Sequence, residues 1–382
     1  MSDNQVLIIS FWNPTAKSPQ KGIFIEEQAA AICSLRDNII FLQVNVLTSN
    51  RLLLKKTIEE STFYNNKRIV INLYTRLWKF LYVDPWRLSR IIYRIIKNRD
   101  YKISPAIIHS NVIFPCGIAG YLLARKMGAK TIISEHWSKS GKLLKHPLYK
   151  RIAIRAYRKC FAVICVSEFL SHKISRATGD VNMIVIPNII NTELFTYQPK
   201  PSPDNGNLCF MCVASWRPPK RLDLIIDALC KYASETSRQI NLRVVGTGAQ
   251  VEMMKCLEIP ENLHIDWTGY LGKPAIAELL HTTHIFLHAS DIETFSIVAA
   301  EALSTGTPVL ASNAGALPEL INDCNGMLAD NNPGAWLNGV RIISSKKYDY
   351  ESIADQQKNK YSSIEIGNKI LSVYNKASSS AS

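Results

Sequence analysis

Hydrophobic residues in the first half of the chain form short continuous runs, and stretches with helical periodicity separate these runs. Continuous apolar runs are typical of strands buried on both faces, and such strands belong to parallel sheets. The predicted strands are Val6–Phe11, Ile39–Val46, Arg68–Leu73, Ile107–His109, Thr131–Ser134 and Ala162–Ser167. The predicted helices are Glu26–Ser34, Trp86–Lys97, Gly117–Lys126 and Pro147–Lys159.

The same pattern returns after a pause at residues 188–207, where Asn, Pro and Ser indicate a linker. Two βα-repeating domains in series are therefore expected, with ligands binding beyond the carboxyl ends of the strands. The polar tail predicts a helix over Ser363–Tyr374 and a frayed end. The predicted strands of this half are Leu208–Ala214, Leu242–Gly246, Leu263–Trp267, Ile285–His288 and Pro308–Ala311.

Composition fits two globular domains and adds a charge bias. The chain has 382 residues, of which 47% are hydrophobic and 20% are charged, which excludes extensive disorder. The formal net charge is +14, and the basic excess lies mainly between Arg51 and Arg176. Such a bias indicates an anionic partner.

Cysteine usage and hydropathy favour a cytoplasmic location. The C-x-x-C of Cys209 and Cys212 lies in a strand-like run without a second pair, so buried thiols are expected rather than a zinc site or disulfides. Neither a signal peptide nor an apolar run of about 18 residues is evident, so secretion and membrane spanning are not expected.

A pair of carboxylates stands out in the second half. Glu293 and Glu301 flank a largely apolar segment, and Glu301 lies inside the apolar run Ile297–Leu303. A buried carboxylate needs a polar partner, and a ribose diol is one candidate. Thr294 or Ser296 could cap a helix whose free N–H groups attract phosphate. The spacing alone leaves a second interpretation open, in which Glu293 complements the helix dipole and Glu301 faces solvent.

A basic loop follows the first strand of the second half. Arg217, Lys220 and Arg221 lie on a segment stiffened by two prolines, which suits a diphosphate but is equally typical of a solvated loop. Gly246-Thr-Gly248 lacks the third glycine of a dinucleotide fingerprint and predicts a tight turn. The region contains no D-x-D motif, and neither a metal nor a cofactor is expected. Core packing is the preferred interpretation of the histidines His281, His284 and His288.

Taken together and in order, these motifs resemble the retaining glycosyltransferases of family 4, which have the GT-B architecture. The C-terminal half matches at the Lys220 loop, Gly246–Gly248, Trp267–Gly269, Glu293-x7-Glu301, Asn313–Glu319 and Asn325-Gly326. The N-terminal half matches at Asn13-Pro14, Gly22–Phe24, His109–Asn111, Ser134–Ser138, Val166-Ser167 and Ile186–Asn188.

The resemblance implies an α/β fold with two Rossmann-like, doubly wound domains that face each other across a cleft. Residues 1–190 would form the acceptor-binding domain and residues 191–357 the nucleotide-sugar-binding domain. Residues 358–382 would form a C-terminal helix that packs back on the N-terminal domain and ends in the frayed tail.

The resemblance also implies roles for single residues. Lys220 would bind the donor diphosphate, Glu301 would hold the ribose, and Glu293 would contact the transferred sugar. His136 would act as a base on the acceptor side, although a histidine after a strand is often only structural. The other donor-binding candidates are Ser215, Arg217, Gly246, Phe295, Ser296 and Ile297, and the acceptor-side candidates are Gly22, Asn111 and Glu135.

Three positions depart from the family pattern. Ser215 occupies the position at which the family often has an Arg, and Arg217 lies nearby. Ser296 replaces a Gly between the two glutamates, and Ile189 replaces the Gly after Pro-Asn. Lys220, Arg217 and a helix N-terminus would stabilise the negative charge on the leaving diphosphate without a metal. No residue stands out as a covalent nucleophile.

The basic excess includes an amphipathic helix over Trp86–Lys97. Arg87, Arg90, Arg94 and Lys97 share one face, and aromatic residues lie upstream in Arg76–Tyr82. Such a segment either lies on an anionic membrane or is an ordinary domain helix with a basic exterior.

We therefore expect transfer from a nucleotide-sugar to a saccharide acceptor at the cytoplasmic face of a membrane, in bacterial-type surface polysaccharide assembly, and a lipid-linked acceptor is the preferred interpretation. A soluble enzyme that acts on a small sugar or sugar phosphate is the alternative. A non-enzymatic polyanion-binding protein is a third and weaker hypothesis, and no nucleic-acid motif is present.

Overall fold

The computed structural model describes residues 4–15, 21–50, 52–98, 101, 103–136, 146–200 and 206–380. The chain divides into two compact units. The first comprises Met1–Ile189 together with Ser363–Ser382, and the second comprises Ile190–Ser362. The second unit is thus an insertion into the first. Within the described residues, no helix has both the length and the apolar character needed to cross a membrane.

The first unit contains an eight-stranded sheet with the strand order β3-β4-β2-β1-β5-β6-β7-β8. Its strands are β1 (Val6–Ser10), β2 (Ile39–Thr48), β3 (Lys55–Phe63), β4 (Asn66–Thr75), β5 (Ile107–Asn111), β6 (Lys130–Glu135), β7 (Ala162–Cys165) and β8 (Met183–Val185). The order reverses between β1 and β5, which is where ligands bind in doubly wound sheets.

Helices cover both faces of this sheet and bury two apolar clusters against it. They are α1 (Ile23–Leu35), α2 (Trp78–Tyr82), α3 (Pro85–Asn98), α4 (Ile118–Met127), α5 (Pro147–Lys159) and α6 (Glu168–Thr178), with a π-helical turn at Ile113–Gly117. The predicted strands of this half all form, because continuous apolar runs fit a sheet that is buried on both faces.

One edge of the sheet carries an antiparallel strand that was not predicted from the sequence. Strand β3 pairs antiparallel with β4, and most of its residues are exposed. An edge strand with polar residues on both faces carries no apolar pattern, so the hydrophobic periodicity did not reveal it.

The second unit contains a six-stranded sheet with the order β11-β10-β9-β12-β13-β14, and all neighbouring strands are parallel. The strands are β9 (Asn207–Val213), β10 (Gln239–Val245), β11 (Leu263–Gly269), β12 (Ile285–His288), β13 (Val309–Ser312) and β14 (Gly326–Ala329). The helices are α7 (Leu222–Ser234), α8 (Ala249–Met254), α9 (Lys273–His281), α10 (Ile297–Ser304), α11 (Leu317–Leu320), α12 (Pro333–Ser345) and α13 (Tyr350–Tyr361). Here the strand order reverses between β9 and β12.

The last helix, α14 (Ser363–Ser379), belongs to the first unit. Residues 358–361, assigned to the tail helix by sequence, instead complete α13 in the second unit. The helix also continues five residues past the predicted end at Tyr374. Lys130 explains this extension, because its ammonium donates to the carbonyls of Ala377 (2.8 Å) and Ser380 and so stabilises the helix C-terminus.

Candidate functional site

The basic loop after β9 is anchored tightly to the rest of the second unit. Trp216 is buried, and its indole N–H donates to the carbonyl of Val245 (2.9 Å). Lys220 forms an isolated antiparallel bridge with Ser290, which follows β12. The Gln250 amide donates to the Lys220 carbonyl at 2.6 Å. These contacts hold Lys220 at the point where the strand order of the sheet reverses.

The loop after β12 brings Glu293 to the same point. The N–H of Ala316, at the start of α11, donates to the Glu293 carbonyl (3.0 Å). Gly315 packs against this backbone so closely that a Cβ there would lie 2.2 Å from the Glu293 carbonyl oxygen, and its φ is +62°. Two loops from the carboxyl edge of the sheet therefore fix the position of Glu293.

Lys220, Glu293 and His288 form a compact charged cluster. The Lys220 ammonium forms an ion pair with Glu293 Oε1, and His288 Nε2 lies 2.9 Å from the same oxygen. Since a carboxylate only accepts hydrogen bonds, Nε2 carries the proton in this contact. Lys220 Nζ lies 3.4 Å from His288 Nε2. The cluster combines one anion and one cation with a neutral ring.

Burial and the neighbouring charges together set the pKa values of this cluster. Burial alone would raise the pKa of Glu293, but the Lys220 charge and the His288 hydrogen bond outweigh it and lower that pKa to about 2. Burial, and then the Lys220 charge, lower the pKa of His288, and Glu293 opposes this shift. At neutral pH the carboxylate is therefore ionised and the imidazole is neutral.

The expected helix forms at α10, but Ser296 does not cap it with its side chain. Ser296 occupies the position before the helix with φ +77°, and its hydroxyl lies 3.1 Å from His288 Nε2 instead of bonding the first turn. Phe295 is buried and packs edge-on against Tyr361 (centroids 5.5 Å apart). The first helical residue is Ile297.

Glu301 lies inside α10 and is only 3% exposed. Its Oε1 is 3.3 Å from the ammonium of Lys273, the first residue of α9. The interpretation in which Glu301 faces solvent is therefore wrong.

The remaining donor-side candidates lie around the same edge. Ser215 and Arg217 are exposed, and the Arg217 N–H donates to the Ser215 carbonyl (2.9 Å). Gly246 directly follows β10, and its N–H donates to the Gly269 carbonyl (2.7 Å). The structure thus brings the Lys220 and Glu293 loops together, while Arg217 presents its charge to solvent.

A second group of candidates lies at the carboxyl edge of the first sheet. His136 follows β6, and its Nδ1 lies 3.0 Å from the amide oxygen of Asn188. Phe24, in the first turn of α1, packs on the His136 ring (centroids 4.5 Å apart). Gly22 begins this helix with φ +71°, and a Cβ there would meet the Trp12 carbonyl oxygen at 2.0 Å. Burial lowers the pKa of His136 to about 4, although the Asn188 contact opposes this shift.

Glu135 and Asn111 are buried rather than presented at an open surface. Glu135 Oε1 accepts hydrogen bonds from the Ile113 N–H (2.6 Å) and the Tyr157 hydroxyl (2.8 Å). Burial raises the pKa of Glu135 to about 7, and these two donors oppose the shift. Asn111 is 3% exposed and donates to the Ile9 carbonyl (3.4 Å). The geometry gives both side chains structural contacts. The motif residues Trp137 and Ser138 lie outside the described residues.

Two residues that contact the candidate glutamates were not predicted as site residues from the sequence. His288 was assigned to core packing; it is indeed buried, but its Nε2 contacts Glu293. Lys273 follows a Gly in an ordinary helix start, and only the fold brings it to Glu301. A signal existed for His288, because it is the last residue of a strand that points to the ligand-binding edge.

Two family models match consecutive parts of the chain. The model for glycosyltransferase family 4 matches residues 43–194, and the model for glycosyl transferases group 1 matches residues 195–361.

Relatives and solved structures agree with these matches. The chain is 28% identical over 246 residues to an uncharacterized glycosyltransferase of Methanocaldococcus jannaschii, which covers 63% of this chain and 66% of that protein. It is 28% identical over 244 residues to a GDP-mannose-dependent α-(1-6)-phosphatidylinositol dimannoside mannosyltransferase of Mycobacterium tuberculosis, which covers 58% of this chain and 61% of that protein. The matched segments thus span less than two thirds of both relatives. A sucrose-phosphate synthase of Thermosynechococcus elongatus has a similar structure, with a TM-score of 0.73 and 14% identity over 99% of this chain and 100% of the other.

Proposed function

This chain belongs to the glycosyltransferases of family 4 and has their GT-B fold, and from that premise we propose that it transfers a sugar from a nucleotide-sugar to a saccharide acceptor with retention of the anomeric configuration. The observation that carries the proposal is the cluster of Lys220, Glu293 and His288 at the carboxyl edge of the second sheet. It puts a cation, an ionised carboxylate and a neutral donor at the point where such sheets bind ligands.

A bound donor diphosphate would replace part of the contact that the Lys220 ammonium makes with the Glu293 carboxylate. Cleavage of the sugar–phosphate bond builds negative charge on the leaving diphosphate and positive charge on the sugar ring. Lys220, the exposed Arg217 and the N–H groups at the start of α10 suit the first charge, and the Glu293 carboxylate suits the second. His288 would keep Glu293 ionised and oriented by donating to it.

Glu301 is proposed to hold the ribose of the donor. A buried carboxylate can accept hydrogen bonds from two neighbouring hydroxyls, and Lys273 offsets its charge at 3.3 Å.

His136 is the proposed base on the acceptor side. Its ring is neutral at physiological pH because its pKa is lowered to about 4, and a neutral ring can accept a proton from a hydroxyl. Phe24 and Asn188 would fix the ring plane.

The acceptor is proposed to be a lipid-linked saccharide of the kind used in surface polysaccharide assembly, which would bring the protein to the cytoplasmic face of a membrane as a peripheral protein. The mycobacterial relative is named for a phosphatidylinositol-linked acceptor, which supports this class of substrate. A small soluble sugar or sugar phosphate as acceptor is the alternative.

Substitution at the donor side tests the proposal. Lys220→Ala should lower the rate of nucleoside diphosphate release roughly 100-fold or more, because charge stabilisation of the leaving group is lost. Glu301→Gln should weaken donor binding while leaving the fold intact. Lys231→Ala is the matched control, because Lys231 is an exposed lysine paired with Asp227 on α7. Unchanged turnover in both site variants would contradict the assignment.

A further inference from the structure

The basic helix expected to lie on a membrane does not offer an apolar face to one. In α3, Leu88, Ile92, Ile95 and Ile96 are buried in the core of the first unit. Arg87, Arg90, Arg94 and Lys97 are exposed. Its exposed side chains are therefore mainly cationic, and an apolar surface that enters a lipid layer must come from another element.

Such a surface exists beside this helix. Five exposed side chains, which we call the apolar patch, line one shallow cavity of about 150 Å³ with Arg87. They come from the segment before β3 and from the segment around α2. Leu53 is 85% exposed and Phe80 is 74% exposed, and it is the grouping of such side chains in one place that is typical of an interaction surface. The members of the apolar patch are Leu52, Leu53, Leu54, Leu77 and Phe80.

Cations surround the apolar patch. Lys55 and Lys56 begin β3 immediately after the leucines, and both are exposed. Arg76 and Lys79 flank Leu77 and are also exposed. Between Arg76 and Arg87 the acidic residue is Asp84, whose carboxylate accepts the backbone N–H of Arg87 (2.9 Å) at the start of α3. Glu59 and Glu60 are exposed farther along β3. An apolar centre with a basic rim matches the interface of a bilayer with anionic headgroups.

The apolar patch is also connected to the proposed acceptor residues. It follows the carboxyl ends of β2 and β4, at the edge of the sheet where β6 ends before His136. The Tyr82 hydroxyl, in α2, accepts a hydrogen bond from the Trp12 indole (3.1 Å). The Trp12 backbone in turn packs on Gly22, which starts the helix that carries Phe24.

We propose that the apolar patch inserts into the interfacial layer of an anionic membrane and docks the first unit there. Leu53 and Phe80 enter the acyl boundary, while Lys55, Lys56, Arg76, Lys79 and Arg87 meet lipid phosphates. The inference rests on the proposed function only for its purpose, which is to bring a lipid-linked acceptor to this edge of the sheet.

Vesicle flotation of the full chain tests the docking without donor or acceptor. The wild-type chain should float with vesicles that contain phosphatidylglycerol, and less with pure phosphatidylcholine or at high salt. A Leu53→Ser/Phe80→Ser variant should lose at least about tenfold in vesicle partitioning, because each side chain contributes its own transfer free energy. Both side chains are solvent-exposed, so this variant is expected to fold.

Met253→Ser/Leu257→Ser is the matched control, because these side chains are 65% and 49% exposed in the second unit. It should float like the wild type. Flotation that the patch variant retains, or wild-type protein that never floats, would overturn the proposal. Wild-type protein that dimerises through the patch and stays off vesicles would identify a second copy as the occupant and overturn it as well. Nucleoside diphosphate release in detergent should persist in the patch variant, so failure of the docking and failure of the proposed transfer are distinguishable.

Discussion

Glu293 of the second unit is held in its charged form by two neighbouring side chains. Its burial favours the protonated form, yet Lys220 and His288 together hold its pKa at about 2. A bound diphosphate would draw Lys220 toward phosphate and weaken one of these two contacts. His288 would then remain as the neighbour that keeps the carboxylate ionised and oriented.

Two substitutions at His288 separate this role from simple core packing. His288→Gln keeps a donor and should retain most activity. His288→Leu keeps the apolar volume but removes the donor, and kcat should fall roughly 10- to 100-fold, the value of one hydrogen bond to a charged group. Steady-state turnover at several donor concentrations measures this, with circular dichroism as the folding control. Equal activity in the two variants would mean that the ring only fills space.

At the scale of elements, the loop between β13 and α11 sets the position of Glu293. Gly315 needs both its positive φ and its missing Cβ, because the Glu293 carbonyl oxygen would lie 2.2 Å from that atom. Gly269 has a similar φ of +69° but has no atom within 4 Å of such a Cβ. Both glycines therefore need a left-handed backbone, but only at Gly315 would an added Cβ also collide with a neighbouring atom.

Alanine at each position isolates the effect of that close approach. Gly269→Ala should cost about 1–2 kcal/mol of unfolding free energy, the penalty for a left-handed alanine. Gly315→Ala should cost more and should also lower turnover at least about tenfold, because Glu293 must move. Urea unfolding and nucleoside diphosphate release measure the two effects. Similar losses in both variants would show that backbone strain alone matters.

The helices and strands also show which parts of the fold could be predicted from the hydrophobic pattern. The buried parallel strands could be predicted, because each is a continuous apolar run between helices. Strand β3 could not, since Lys55-Lys56 and Glu59-Glu60 give it two polar faces at an exposed edge. The Lys273–Glu301 contact could not either, because 28 positions of chain separate the partners and only the folded sheet brings them together.

At the scale of the whole molecule, helix α14 completes an apolar cluster of the first unit. Helix α14 buries Ile366, Ile370, Val373 and Tyr374 in an apolar cluster with α1 and the sheet. Each buried side chain of this size contributes about 1.5–3 kcal/mol, so together they approach the roughly 5–15 kcal/mol of a typical domain.

Truncation after Ser362 should therefore unfold the first unit at physiological temperature and leave the second unit folded. Calorimetry should show the transition of the first unit lost or moved far downward, while that of the second unit remains. Ile364→Ser is a suitable control, because Ile364 is 64% exposed on the same helix. A truncated chain that keeps both transitions would contradict this account of α14.

A buried histidine of β5, His109, contacts Tyr374 of the terminal helix α14, and the stability that it contributes depends on pH. His109 Nδ1 lies 2.6 Å from the Tyr374 hydroxyl, and its Nε2 lies 2.7 Å from the Ser134 hydroxyl. Burial, with a smaller contribution from His136, lowers the pKa of His109 to about 3. The folded chain therefore holds this ring neutral, whereas the unfolded chain protonates it near pH 6.5. Stability from His109 is present above pH 6.5 and is lost as the pH falls toward 3.

Two variants distinguish this titration from the hydrogen bond itself. Tyr374→Phe removes one hydrogen bond and should lower the stability of the first unit by about 1 kcal/mol at every pH, with the slope unchanged. His109→Gln should cost stability at pH 7.5 but flatten the decline below pH 6.5, where a single group accounts for up to about 1.4 kcal/mol per pH unit. Hydrogen exchange of the α14 amides across this range measures both. A slope in His109→Gln equal to that of the wild type would assign the acid sensitivity to His136 or another group.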